Sequence, residues 1–93
     1  MIIQAVTIKL YAPWVHSLKE KRMIVKSIIA KTQNKFNVSI ADVDEQDRHQ
    51  TIILGVVCVA NKVDQTDSII DHVVKFIENN TRTEILEIHR DIR

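Results

Sequence analysis

Thr51-Ile52-Ile53-Leu54-Gly55-Val56-Val57-Cys58-Val59-Ala60 is the most apolar stretch of the chain. Both of its alternating sets are apolar, which marks a strand in the middle of a sheet with neighbours on each side. The segments around it supply those neighbours. Upstream, Ile2 to Tyr11 alternates from Gln4 onward: Val6, Ile8 and Leu10 share one face, Ala5, Thr7, Lys9 and Tyr11 the other. Pro13 ends this first strand, because proline cannot donate to a ladder and holds Ala12 in extended geometry.

Ser17-Leu18-Lys19-Glu20 reads as a capping box, in which the serine hydroxyl accepts from the amide three residues on and the glutamate reaches back. The helix it opens runs from about Leu18 to about Asn34, with Leu18, Val25, Ile28, Ile29, Thr32 and Phe36 at helical spacing. Phe36, Val38 and Ile40 then alternate as a second strand that runs into the acidic turn Asp42–Asp47. Beyond the central run, residues 61–65 form a polar break, and Thr66 or Asp67 is placed to cap a second helix. Its stripe is Ile69, Ile70, Val73, Val74 and Ile77, and Asn79-Asn80-Thr81 stops it before a last strand containing Ile85, Ile88 and Ile92. Strand, helix, strand, strand, helix, strand with short connections predicts a ferredoxin-like βαββαβ two-layer sandwich over residues 1–93 as one domain. Its four-stranded antiparallel sheet has both helices on one face, with strands one and three central.

That arrangement leaves one sheet face without helices. Because the third strand is apolar on both sides, and Ile3, Ala5 and Tyr11 of the first join it, the open face predicts an interface. Two covers are considered: a second copy of the chain, giving a homodimer, or the chain's own edge strands and Asp91-Ile92-Arg93 tail.

Composition excludes several classes. Apolar residues make up 45% and charged residues 27%, as in a soluble globule. No apolar run reaches a membrane span and no signal peptide is evident, so the expected location is cytoplasmic, with no membrane partner. The single Cys58 excludes a disulfide framework and sits where thiols are inert packing groups; the single Gly55 excludes a glycine-rich phosphate loop. His16, His49, His72 and His89 are scattered without ligand spacing, so no metal and no cofactor is expected. Asp42 and Asp44 fall on one side if the strand continues, which suits a water-bridged hard cation such as Mg²⁺, but the spacing lacks the glycine and distal glutamate of a calcium loop and the run Asp42–Asp47 reads as a solvated acidic turn. His49 and Asp47 form a base–acid pair without a nucleophile, so no catalytic residue is assigned.

The charge is polarised although the net value is only +1. Residues 1–40 carry seven basic side chains against one acid, and residues 41–93 carry six against eleven. Within the first helix Lys19, Arg22 and Lys26 recur at i, i+3 and i+7, a spacing that places cations in a row for successive phosphates. Trp14 and His16 lie just ahead of that helix, where an aromatic can stack on a base. An RNA-recognition-motif mechanism is excluded, because the third strand carries no aromatic.

His16-Ser17-Leu18-Lys19-Glu20-Lys21-Arg22 with Lys26-Ser27-Ile28, followed by Phe36-Asn37-Val38-Ser39, Asp42-Val43-Asp44, Gln46-Asp47 and Gln50, resembles the YlxP-like family of small bacterial proteins of unknown function. Gly55 and Asn61 also fit that pattern; His49 departs from it, where Trp is common. The resemblance implies the ferredoxin-like fold and no established activity. Members are often encoded beside transcription-elongation, translation-initiation and ribosome-maturation factors, which implies a ribosome- or RNA-associated role by company alone. It also adds Lys21 to the basic set, or pairs Lys21 with an acid of the second block such as Asp44 or Asp47.

The leading expectation is therefore a non-enzymatic module that contacts structured RNA or the ribosome through Trp14, His16, Lys19, Lys21, Arg22 and Lys26. The alternative is a dimeric protein-interaction or small-ligand module using the open sheet face, or a cleft near Asp44, Asp47 and His49.

Overall fold

The computed structural model describes residues 1–44 and 48–93. Its elements follow in the order β1 (Ile2–Tyr11), α1 (Leu18–Lys35), β2 (Ser39–Asp42), β3 (Thr51–Ala60), α2 (Val63–Asn80) and β4 (Glu84–Ile92). The sheet order is β2-β3-β1-β4, antiparallel throughout, so the two apolar strands are central and the ferredoxin-like expectation holds.

The pairing of β1 with β3 covers all ten residues, from Ile2 opposite Ala60 to Tyr11 opposite Thr51. Alternation then sorts the side chains. Val6, Ile8 and Leu10 of β1 and Ile52, Leu54 and Val56 of β3 point to the helices, where Val25, Ile28, Ile70, Val73 and Ile77 meet them in a closed core. Each such aliphatic side chain stabilises the fold by roughly 1.5–3 kcal/mol through burial. Gln4 follows the same parity inward and is fully buried; its Nε2 donates to Thr66 Oγ1 at 3.0 Å and to Asp67 Oδ1 at 2.8 Å. In β4 the register slips between Lys9 and Leu10, where Glu87 and Ile85 are the successive partners and Leu86 is left over. That single-residue slip is a bulge, of the kind that bends an edge strand.

Two boundaries and one cap contact differ from the sequence reading. The first concerns β2, which starts at Ser39 because Phe36 finishes α1 instead of opening a strand. Its amide donates to Thr32 O at 2.8 Å, and its ring meets Phe76 edge-on at 5.5 Å. The second concerns α2, which starts at Val63, so neither Thr66 nor Asp67 caps it. Lys62 is the N-cap without a side-chain bond; Gln65 Oε1 accepts from Asn61 N, and Thr66 is drawn into the core by Gln4. The third is a detail of the capping box. Ser17 Oγ accepts from Glu20 N at 3.1 Å as expected, but Glu20 reaches the amide of His16, not that of Ser17.

The open face carries Ile3, Ala5, Thr7, Lys9 and Tyr11 beside Ile53, Gly55, Val57 and Val59. The tail does not cover it. Arg93 exchanges backbone hydrogen bonds of 2.7 and 2.8 Å with Ile3, which keeps the C-terminus in the plane of the sheet. Val57 and Val59 consequently stay 39% and 57% exposed, and Val43, which overhangs Gly55, 48%. Toward β4 this face turns polar, through Lys9, Glu87 and His89. Among the described residues no helix is long and apolar enough to cross a membrane.

Candidate nucleic-acid interface

The inward stripe of α1 consists of Lys21, Val25, Ile28 and Thr32. One turn-aligned row on the far side of the helix holds Lys19, Arg22 and Lys26, all exposed. At about 1.5 Å rise per residue the row extends roughly 10.5 Å. None of the three makes an ion pair among the described residues. His16 is exposed at the N-terminal end of the same helix.

Lys21 does not belong to this row, which corrects its assignment as a phosphate contact. Its ammonium donates to Asp44 Oδ2 at 2.9 Å and to the Arg48 carbonyl at 2.7 Å, with side chains only 7% and 4% exposed for Lys21 and Asp44. Asp44 as a whole is half-buried, so the exposed part is its backbone; the carboxylate is inside. The Asp44 amide in turn donates to Asp42 Oδ1 at 2.9 Å, closing the turn after β2. The pair therefore ties α1 to the β2–β3 connection, as the alternative reading of the motif expected. This also removes Asp44 from the alternative cleft. His49 is exposed, and Asp47 lies outside the described residues.

Trp14 is the second correction. It packs on the core as a half-buried lid and lines a cleft with Ile24, Ser27, Ile28 and Lys31 of α1. At about 100° per residue those positions lie roughly half a turn around the helix from Lys19, Arg22 and Lys26. Trp14 and the basic row thus face different ways and do not share one binding surface. The indole Nε1 is buried and finds no hydrogen-bond partner among the described residues.

Gln50 is a structural part of the framework that the sequence reading did not explain. Its side-chain amide donates to the carbonyls of Pro13 at 2.9 Å and Val15 at 3.4 Å, and the Gln50 backbone carbonyl accepts from Ala12 N at 2.8 Å. Gln50 so fixes the loop from which α1 departs. No periodicity marks such a residue; only its place in the family pattern singles it out. Cys58 is buried, and desolvation raises its pKa above the ordinary 9.0, with the Asp67 charge adding to the rise and a hydrogen bond from the Gln4 backbone opposing it. Among the described residues no three His, Cys, Asp or Glu side chains gather as a metal site.

Sheet order and helix placement define a small ferredoxin-like α+β domain. The family model described as "Protein of unknown function (DUF503)" matches residues 3–90, and the chain belongs to that family. It is 41% identical over 63 residues to the uncharacterized protein YlxP of Bacillus subtilis (strain 168), which covers 68% of each chain. Among solved structures it is similar to the de novo designed protein LFR1 1 with ferredoxin fold, at a TM-score of 0.63 and 23% identity, covering 100% of this chain and 86% of that one. The designed protein Foldit4 matches at a TM-score of 0.52 and 10% identity, covering 97% and 94%. These likenesses concern the fold alone.

Proposed function

We propose that this protein is a non-enzymatic RNA- or ribosome-associated binding protein that works through the outer face of α1. The observation that carries the reading is the exposed row Lys19, Arg22 and Lys26, unpaired among the described residues on a rigid helix. Cations held this way need not break an intramolecular pair before engaging phosphates, and each engagement releases condensed counterions. His16 extends the row at its N-terminal end. Lys21 supports it indirectly, by fixing the helix to the sheet edge through Asp44.

Co-sedimentation with ribosomal subunits tests the reading. The wild-type protein is expected to pellet with subunits at low salt and to be released as salt rises. Arg22→Glu combined with Lys26→Glu is expected to abolish pelleting while leaving the melting temperature unchanged. Equal pelleting of the double variant would refute the reading.

A second reading is favoured by one observation: Val43, Val57 and Val59 stay exposed on a face that the C-terminus does not cover. A second copy laid against this face buries them, giving a dimer. That association would hold or strengthen in salt, where a phosphate-driven one weakens.

A further inference from the structure

The cleft under Trp14 is separate from the basic row, and its chemistry differs. It lies between the middle of α1 and the α2–β4 connection, and holds about 190 Å³. One wall is apolar, made by Trp14, Ile24 and Ile28. Lys31 and Arg82 stand at its rim, both exposed and without an ion pair among the described residues. No acidic side chain lines it among those residues.

The C-terminus of α2 borders the cleft, and free carbonyls there would repel an anion. Two carbonyls of the last turns accept from side chains. Asn80 Nδ2 donates to the Phe76 carbonyl at 2.9 Å, and Thr81 Oγ1 donates to the Ile77 carbonyl at 2.7 Å. The Thr81 and Thr83 hydroxyls also bond each other, at 2.6 Å. Against these, the side chains lining the cleft offer two exposed cationic donors, the Lys31 ammonium and the Arg82 guanidinium. Donors and cations around an apolar wall fit an acceptor-rich anion that carries an apolar or planar body.

We propose that this cleft binds a phosphomonoester of nucleoside monophosphate size, its phosphate held by Lys31 and Arg82 and its planar part against Trp14, Ile24 and Ile28. The proposal is independent of the basic row on the opposite side of α1.

Trp14 is the only tryptophan of the chain, so its emission reports on this cleft without interference. The full chain is titrated with adenosine 5′-monophosphate, adenosine and inorganic phosphate, by fluorescence and in parallel by calorimetry. Adenosine monophosphate is expected to saturate the signal, with adenosine and phosphate each binding more weakly. Lys31→Ala and Arg82→Ala, both at exposed positions, are each expected to raise the Kd about tenfold or more, as loss of a charge-assisted hydrogen bond does. Their urea midpoints should match wild type. Arg22→Glu should bind the nucleotide normally, so failure here and failure of the RNA reading are separable. Competition by a 5′-phosphorylated ribooligonucleotide identifies an RNA end as the source of the phosphate, and its absence a free nucleotide. No saturable response at millimolar concentration, adenosine binding as well as its phosphate, or unchanged affinity in both variants would overturn the proposal.

Discussion

Replacing Lys21 by Met separates the framework of α1 from its surface chemistry. The ammonium sits between Asp44 Oδ2 at 2.9 Å and the Arg48 carbonyl at 2.7 Å, with side chains 7% and 4% exposed for Lys21 and Asp44. Methionine keeps the length and the apolar stem but removes the charge, leaving a carboxylate inside without this partner. Removing one member of a buried pair destabilises by about 3–5 kcal/mol, against a total of about 5–15 kcal/mol for a domain of this kind. At about 4–8 °C per kcal/mol for this size, the melting temperature should fall by roughly 12 °C or more. Lys19→Met, on the exposed row two residues away, should change stability by no more than about 0.5 kcal/mol. Urea unfolding followed by far-UV circular dichroism measures both. Lys21→Met combined with Asp44→Leu should lose less than the sum of the single variants, by about 1–3 kcal/mol of coupling. A Lys21→Met variant as stable as Lys19→Met would refute the claim that Lys21 is a structural tie.

Ser17→Ala removes the hydroxyl that accepts from Glu20 N and should destabilise by about 1 kcal/mol, read from the same urea curves. Val59→Asp should keep the circular dichroism spectrum of the wild type; if a second copy covers the open face, light scattering should show the wild type as a dimer and the variant as a monomer. Cys58 is an acid whose pKa burial raises, so the unfolded chain ionises first and stability is lost as pH climbs past 9.0. Cys58→Ala should flatten that alkaline loss, and iodoacetamide should label the native thiol far more slowly than the urea-unfolded one. Rapid native labelling would contradict its burial.

The βαββαβ order was legible because the two central strands differ in pattern from the two helices: the run at Thr51–Ala60 is apolar on both faces, while Val25 and Ile28 recur at helical spacing. Boundaries were less legible where a side chain serves a tertiary purpose. Phe36 has the spacing of both a helix stripe and a strand, and belongs to neither: it is the extended C-cap of α1, its amide bonded back to Thr32 and its ring set against Phe76. Thr66 resembles a cap but is held inside by Gln4, a partner 62 positions away. The same limit applies to the candidate site. Spacing alone put Lys19, Arg22 and Lys26 on one row, and they share it. It could not decide between two fates for Lys21, since that depended on where a distant acid lies, and it placed Trp14 beside the row because sequence neighbours need not face the same way around a helix.

The salt dependence of RNA binding tests the outer face of α1 most directly. Each phosphate neutralised contributes a slope of about −0.7 for single strands or −0.9 for duplex in log K against log salt concentration. Three engaged cations predict a wild-type slope of roughly −2 to −3 with ribosomal RNA. Lys19→Gln, Arg22→Gln and Lys26→Gln together should bring it close to zero. A triple variant that keeps the wild-type slope and affinity would contradict the account.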